Sequence, residues 1–256
     1  MRNPTAIRIF TLVRREVSRF LKIKGQTIGA PLLETFLYIT VFGAALGTRI
    51  GDLEGFEYIT FVIPGLIMMA WAINAFSNNS SSILQQKFQR SIDDQLSSPS
   101  SPAQLLTALS LGGFLRGMAI ATITFLVALV LVDLPVKHPL VLILSLVLIG
   151  FFFSQLGVLI GVRAEQFEDV SFVQTFVLTP LIFLGGVFYS ASLLPEPFQS
   201  LTEFNPLYYM ISLVRYGFLG IEPISIGLSL LVLTAVTVGL FMFNLKLFER
   251  GYKLRS

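Results

Sequence analysis

Few side chains in this chain of 256 residues have the chemistry needed for catalysis or metal binding. There is no cysteine, which excludes disulfides and thiolate chemistry, and the single histidine, His138, lies in a short predicted loop. The sequence contains no GxxxxGK(S/T) phosphate loop, no HExxH motif and no GxSxG motif. We therefore predict no catalytic residue, no metal site and no cofactor held by this chain itself.

Three of the polar residues inside long apolar runs are candidates for a functional role, because a charge there is unfavourable unless it faces water or a partner. They are Glu34, Asn74 and Arg116, and they predict a polar pathway through the apolar part of the protein. Two alternatives stay open for Glu34. It pairs with another apolar run, or it lies close to the membrane surface, because its own run begins only a short distance earlier.

The composition is that of an integral membrane protein. Only 13% of the residues are charged and 54% are hydrophobic, with a mean hydropathy of +0.77. A soluble protein of this length would have too few charged residues at its surface to cover so many apolar ones. No internal repeat is visible, so residues 1–256 are predicted to form one transmembrane domain.

Six runs are long and apolar enough to cross about 30 Å of hydrocarbon as helices. They are predicted at about 28–46, 60–78, 106–132, 139–162, 171–190 and 225–246. Most lysines and arginines fall in segments 1–27, 79–105, 163–170 and 247–256, whereas the opposite connections contain only Arg49, Lys137 and Arg215. The positive-inside rule then places both termini in the cytoplasm.

The segment LLPEPFQSLTEFNPLYYMI (193–211) fits neither a membrane span nor an ordinary solvated loop. It is apolar and aromatic, yet Pro195, Pro197 and Pro206 would interrupt a helix through it. Non-helical backbone at membrane depth is tolerated only where protein or water covers it. We predict an outer re-entrant helical hairpin over 191–224, and the alternative is an interfacial loop with an aromatic belt.

Two cytoplasmic elements have amphipathic patterns. Residues 1–27 predict a helix that lies on the membrane surface with its cations near anionic headgroups, and the alternative is a helix packed on a partner. Residues 81–97 predict a short helix between two spans, which either docks in a soluble partner or lies on the membrane. A new helix is predicted to begin with a capping box at Ser101 and Gln104.

Several stretches together resemble the ABC-2 permease family. They are FVIPGLIMM (61–69), KFQRSIDDQLSSPSSP (87–102), FVLTPLIFLGGVFYSASLLP (176–195) and NPLYYMISLVRYGFLGI (205–221). The resemblance covers nearly the whole chain and is strongest to bacterial inner-membrane permeases of the YadH type, with nodulation-factor export permeases more distant. The array LGGVFY…LLP…NP…Y…R…G at 184–220 is its most specific part.

The resemblance implies a working assembly larger than this chain. Two permease subunits, expected to be a homodimer, pair with two ABC ATPase subunits that bind ATP and magnesium. Closure of the ATPase pair moves a coupling helix between spans two and three, and the substrate is expelled outward across the inner membrane. The other expected partners are membrane lipids, and no nucleic acid is expected.

Residue roles follow from the same resemblance. Contact with the ATPase is expected from Leu84, Lys87, Phe88, Arg90 and Asp94 in the coupling helix and from Arg163, Glu165 and Asp169 in the later cytoplasmic loop. The outer gate in the hairpin is expected to consist of Glu203, Asn205, Pro206, Tyr208, Tyr209 and Arg215.

Three function classes remain distinguishable at this stage. The first is the permease of an ATP-driven exporter, with a lipid-linked or amphipathic substrate suggested by a lateral opening between closely packed helices. The second is a membrane-embedded transferase with Glu203 as a base, although no second acid, nucleophile or metal ligand stands nearby. The third is an ATP-independent channel or secondary transporter, which would need charged elements at mid-membrane.

Overall fold

The computed structural model describes residues 4–22, 25–96, 99–222 and 225–253, and helices dominate this part of the chain. The elements are α1 (Pro4–Lys22), a π-helix (Gly25–Gly29), α2 (Ala30–Tyr38), a π-helix (Ile39–Leu46), α3 (Gly47–Ile50), β1 (Asp52–Leu53), β2 (Phe56–Glu57), α4 (Tyr58–Phe88), α5 (Ser91–Leu96), α6 (Pro102–Leu131), α7 (Pro139–Arg163), α8 (Phe167–Phe172), a π-helix (Val173–Leu178), α9 (Thr179–Leu184), a 3-10 helix (Ala191–Leu193), α10 (Glu196–Phe204), α11 (Pro206–Leu219) and α12 (Ile226–Arg250). The strands β1 and β2 form one small antiparallel hairpin. The predicted all-α class is confirmed.

Five helical runs in the described part of the chain are long and apolar enough to cross a membrane. They are α4, α6, α7, the continuous run Phe167–Leu184 and α12, which match five of the six predicted spans. The remaining prediction, 28–46, falls on consecutive helical segments, but there α2 lies between two π-helices and the apolar part, Thr27–Gly43, is shorter than the other five.

Helix α4 lies at the centre of the bundle and packs against α6, α7 and α11. Its large side chains Phe61 and Phe76 are buried. Two glycines of α7 allow close contact: a Cβ on Gly157 would overlap the Phe76 carbonyl oxygen, and a Cβ on Gly161 would lie 3.0 Å from the Ser80 Cα. Small residues thus let the α4 and α7 backbones approach each other.

Helix α1 packs against α6 rather than standing apart from the bundle. Its last turns are the most tightly held, with Glu16 and Phe20 buried, whereas Phe10 is exposed. A Cβ on Gly112 of α6 would lie 2.7 Å from the Glu16 Cβ. The predicted helix is therefore present, and its polar face contributes a residue to the protein interior.

The helix predicted over 81–97 is divided in the structure. Helix α4 continues without a break from its apolar part to Phe88, and the chain turns at Arg90, whose φ is 52°. The short α5 follows, and residue 97 lies outside the described residues. The predicted capping box at the start of α6 is confirmed by reciprocal bonds between Ser101 and Gln104 of 3.1 and 3.3 Å.

Prolines mark the helix starts in the segment 191–222. Pro195 precedes α10, Pro197 lies in its first turn and Pro206 is the first residue of α11. Proline is favourable at the start of a helix because the N–H groups of the first turn have no hydrogen-bond partner within the helix. The Asn205 side chain caps α11 by accepting a bond of 3.0 Å from the Leu207 N–H. Residues 223 and 224, the end of the predicted hairpin, lie outside the described residues.

Candidate functional site

The end of the bundle formed by α5, the C-termini of α4 and α7 and the N-terminus of α8 presents aromatic rings to solvent. Phe88 is 59% exposed and Phe167 is 48% exposed, and their rings stack at a centroid distance of 5.4 Å and an angle of 12°. Charged side chains in the same segments are exposed as well, namely Arg90, Asp94, Arg163, Glu165 and Asp169. We define the coupling surface as Phe88, Arg90, Asp94, Arg163, Glu165, Phe167 and Asp169.

Lys87 anchors the coupling surface to the bundle. Its Nζ donates hydrogen bonds to the carbonyl oxygens of Val162 (3.0 Å) and Ala164 (2.5 Å). These carbonyls lie at the C-terminal end of α7, where a helix has unpaired acceptors and a negative dipole end. Lys87 therefore joins the ends of α4 and α7, and it is half-buried rather than free to meet a partner.

The loop between α7 and α8 is shaped by its own hydrogen bonds. The Asp169 carboxylate accepts bonds from the backbone N–H groups of Glu165 (2.8 Å) and Gln166 (3.1 Å). Lys253 Nζ lies 2.7 Å from the Glu165 carboxylate, and this bond lowers the pKa of Glu165 and raises that of Lys253. Both partners are exposed, so water screens the pair and it contributes little stability.

Leu84 is not part of the coupling surface. Its side chain is 1% exposed and belongs to the main hydrophobic core. Ile92 of α5 is buried as well, so Phe88 alone among these three apolar side chains is exposed. A partner that docks in this conformation reaches Phe88 without touching Leu84.

A buried polar network, absent from the sequence-based expectations, joins α1 to α4 and α5. Its centre is Glu16, which is 1% exposed and accepts hydrogen bonds from Ser82 Oγ (2.8 Å) and Arg19 Nε (3.3 Å). Gln86 Nε2 donates to the Ser82 hydroxyl oxygen (2.9 Å), and Gln95 Nε2 of α5 donates to Gln86 Oε1 (2.5 Å). The network thus reaches from the amphipathic helix to the segment beside the coupling surface.

The same network continues into the interior of the bundle. Arg19 donates to the carbonyl and the side-chain oxygen of Asn78 (2.7 and 2.8 Å), and Asn78 Nδ2 donates to Asn79 Oδ1 (3.1 Å). Asn79 Nδ2 then donates to Ser154 Oγ of α7 (2.7 Å), and Ser154 Oγ donates to the Ser110 carbonyl of α6 (2.8 Å). The polar run SNNSSS at 77–82 could have indicated this network from the sequence, because polar residues inside a buried helix need hydrogen-bond partners.

In the predicted outer hairpin, the two most polar buried residues hold the backbone together. Arg215 is 5% exposed, donates to the Gly186 carbonyl (2.8 Å) and lies 3.8 Å above the Phe61 ring. Asn205 is buried and donates to the Leu181 carbonyl (2.6 Å). These bonds tie the hairpin to α4 and to the end of α9.

The other predicted gate residues lie nearer the surface of the hairpin. Glu203 and Pro206 are exposed, and the half-buried rings of Tyr208 and Tyr209 meet edge to face at 5.5 Å. Tyr209 and Pro206 line an apolar cavity of about 480 Å³ between α7, α11 and α12. The structure therefore separates the six predicted residues into a buried anchor pair and a surface group.

The three predicted pathway residues do not form one cluster. Glu34 and Asn74 line the same small recess between α2 and α4. Arg116 lies on α6. It is one turn from Gly112, and Gly112 packs on Glu16 of α1. The Nε atom of Arg116 is buried without a hydrogen-bond partner among the described residues. The structure thus brings Glu34 and Asn74 together, whereas Arg116 does not line this recess.

Five apolar helices of membrane-spanning length around a central helix, and polar side chains buried among them, define a polytopic membrane protein. The chain belongs to the ABC-2 type transporter family, whose family profile matches residues 7–219. It is 42% identical to the inner membrane transport permease YadH of Escherichia coli K12 over 242 residues, which cover 94% of each chain. It is 27% identical to nodulation protein J of Rhizobium meliloti and 28% identical to that of Rhizobium leguminosarum bv. viciae, over 93% of this chain and 91% and 92% of theirs.

Membership decides among the three function classes that the sequence left open. The chain is the permease component of an ABC-2 type transporter and carries no catalytic site of its own, which excludes the transferase alternative. Permeases of ABC transporters work with ATPase subunits. The predicted resemblance to YadH-type permeases, and more distantly to the nodulation permeases, is confirmed.

Proposed function

We propose that this chain is the permease of an ATP-driven exporter that moves an amphipathic or lipid-linked substrate outward across a bacterial inner membrane. Two copies of the chain assemble with two ATPase subunits, which bind ATP and magnesium. Each copy crosses the membrane six times, with α2 and its flanking π-helices as the first span and both termini in the cytoplasm. The likeness to an Escherichia coli inner membrane transport permease supports the location.

The coupling surface is the observation that carries this proposal. Two stacked phenylalanine rings are exposed at the end of α4 and at the start of the run Phe167–Leu184. An exposed aromatic pair rimmed by charges is typical of a protein interface rather than of a free surface. Because Phe88 ends the central helix α4, force applied there is transmitted along the most buried element of the bundle.

The outer hairpin is the complementary element at the other end. In this proposal Glu203, Pro206, Tyr208 and Tyr209 form the surface of the outer gate, while Asn205 and Arg215 hold it against α9 and α4. The Glu54 carboxylate beside the β-hairpin accepts a bond of 2.7 Å from Ser190, which ties the entry of the hairpin to the loop before α4. Gate and coupling surface are thus both connected to α4.

The substitution Phe88→Asp tests the docking role. A charge placed in an aromatic contact must be desolvated without a partner, so we expect ATPase binding at least about tenfold weaker, which corresponds to about 1.4 kcal/mol. The measurement is co-purification of a GxxxxGK(S/T)-bearing ATPase with the tagged permease from its native membrane, quantified by mass spectrometry.

The matched control is Phe198→Asp in α10, an exposed phenylalanine of the outer hairpin. It introduces the same charge at a residue of similar exposure on the side of the membrane opposite to the coupling surface. ATPase binding should therefore stay at the wild-type level. If the Phe88→Asp and Phe198→Asp proteins retained the ATPase equally well, the proposed docking of the ATPase on the coupling surface would be contradicted.

A further inference from the structure

Glu34 is a carboxylate placed at membrane depth without a cation to neutralise it. The recess between α2 and α4 that contains it is also lined by Tyr38 and Asn74, with apolar walls from Met69 and Ile73. The Glu34 side chain is exposed on the protomer, and none of the ion pairs in the described part of the chain involves it.

The depth follows from the predicted spans. Helix α4 has 31 residues, so at about 1.5 Å per residue it is longer than a hydrocarbon core of about 30 Å. Within the predicted spans 28–46 and 60–78, Glu34 and Asn74 lie 6 and 4 residues from the cytoplasmic ends. The recess is therefore placed roughly 6–9 Å inside the hydrocarbon on the cytoplasmic side.

The orientation of Glu34 is set by its neighbour in the chain. Thr35 is buried, and its hydroxyl lies 3.3 Å from the Thr124 hydroxyl of α6. Successive residues of an α-helix are rotated by about 100° around its axis. Glu34 and Tyr38 are one turn apart, so they share a strip of the helix surface beside the face that packs on α6. Glu34 and Tyr38 both line the recess.

An aromatic cluster continues this strip beyond Tyr38. The Tyr38 ring lies 6.0 Å from the Phe42 ring and 5.8 Å from the Phe188 ring, and Phe42 and Phe188 stack at 4.6 Å. A carboxylate beside aromatic rings suits an organic cation, because both the charge and the ring faces attract it. The recess has a volume of about 30 Å³, enough for about one water, so a larger ligand would lie along the exposed strip beside it.

We propose that Glu34, Tyr38 and Asn74 form the headgroup subsite for a cationic amphipathic substrate on the transport path. This proposal rests on the proposed export function and adds the charge of the substrate. Glu34 supplies the counter-charge and Tyr38 a ring face, and the Asn74 side-chain oxygen is free to accept a bond while its Nδ2 donates to the Ala70 carbonyl (2.9 Å). The apolar part of the substrate lies against Phe42 and Phe188.

Equilibrium binding to the full-length permease in nanodiscs tests the subsite. The probe is tetraphenylphosphonium, and tetraphenylborate is the control ion with nearly the same shape and the opposite charge. We expect wild-type protein to prefer the cation, and Glu34→Gln to weaken cation binding at least about tenfold by removing the counter-charge. Binding of the anion should not weaken. The control variant is Glu57→Gln, an exposed glutamate of β2 outside the recess.

A second measurement on the unmodified protein keeps the test valid if Glu34→Gln folds poorly. A hydrophobic carbodiimide labels carboxyl groups at membrane depth, and peptide mass spectrometry reports the extent of labelling at Glu34. We expect tetraphenylphosphonium to protect Glu34 and tetraphenylborate not to protect it. The proposal is overturned if Glu34→Gln binds the cation as well as wild type does, or if the cation does not protect Glu34.

These outcomes also separate the subsite from the export proposal. The binding assay requires neither the ATPase nor ATP. If the coupling surface did not bind the ATPase, the affinity for tetraphenylphosphonium would therefore be unchanged. If Glu34 instead pairs with a basic residue of a second copy or with a lipid headgroup, the Glu34→Gln protein keeps its affinity for tetraphenylphosphonium. Such a result would overturn the subsite and leave the ATPase-dependent function as it stands.

Discussion

At the scale of single residues, Glu16 shows how a basic amphipathic helix is held on an apolar bundle. Its neighbours Arg15 and Arg19 contact its carboxylate at 3.1 and 3.3 Å, and Ser82 donates to it from α4. A buried carboxylate is tolerated only with such partners. Arg15 also donates to Gln95 of α5 (2.9 Å), so the same group connects the amphipathic helix with the coupling region.

Replacing Glu16 by alanine should destabilise the protein strongly. The change leaves the Ser82 hydroxyl without its acceptor and Arg19 without its counter-charge, and breaking a buried charged network costs about 3–5 kcal/mol. Thermal unfolding in detergent, followed by the fluorescence of the single tryptophan, Trp71, should show a lower midpoint.

The control for this change is Glu168→Ala, which removes an exposed glutamate on α8. Its unfolding midpoint should match that of the wild type, because exposed charges contribute little. An unchanged midpoint in the Glu16→Ala protein would show that the network does not stabilise α1 on the bundle.

At the scale of helices, the contact between α4 and α7 depends on glycine. Gly157 faces the Phe76 carbonyl so closely that no Cβ fits, and the hydrogen bond from Asn79 to Ser154 crosses the same interface. Close backbone approach and buried polar bonds are the two stabilising features expected between helices in lipid. The α4–α7 pair is therefore predicted to be the least tolerant interface of the described bundle.

The substitution Gly157→Ala should separate α7 from α4 and lower the unfolding midpoint, because overpacking a tight contact costs about 1–3 kcal/mol. Gly239→Ala is the matched control, since nothing lies within 4 Å of a Cβ at that position of α12. There the higher helix propensity of alanine should stabilise the helix by up to about 1 kcal/mol. The prediction fails if the two variants unfold at the same temperature.

At the scale of the whole molecule, the two ends of the bundle differ in charge and in structure. One end has the basic helix α1, the coupling surface and Lys253, and the other has the β-hairpin and the outer hairpin. The positive-inside rule assigns the first end to the cytoplasm. This assignment places the proposed ATPase contact and the proposed gate on opposite sides of the membrane.

Cysteine labelling tests this orientation directly, because the chain has no native cysteine. Ser192→Cys lies in the exposed start of the outer hairpin, and Glu168→Cys lies on the exposed first turn of α8. A membrane-impermeant maleimide should label Ser192→Cys in spheroplasts and label Glu168→Cys only after permeabilisation. The reverse pattern would invert the proposed topology.

Much of the fold could be predicted because membrane thickness constrains helix length. The five long helices, the capping box at Ser101 and the helix interruptions at Pro195 and Pro206 all follow from local patterns. The family could be predicted too, since its motifs lie in contiguous stretches. The sites were harder to predict: of two residues expected to contact an ATPase, Phe88 is exposed, whereas Leu84, four residues earlier, is in the core.

The sequence by itself determined that the chain is a membrane protein of apolar helices with a proline-interrupted segment before the last one. These features depend on composition and on local backbone chemistry, and neither needs distant contacts. Tertiary structure alone decided that Glu16 is buried and that Glu34 has no ion-pair partner among the residues that the structure describes. The physical reason is that a polar residue on a helix has no fixed environment until the neighbouring helices pack around it, and those neighbours come from distant parts of the chain.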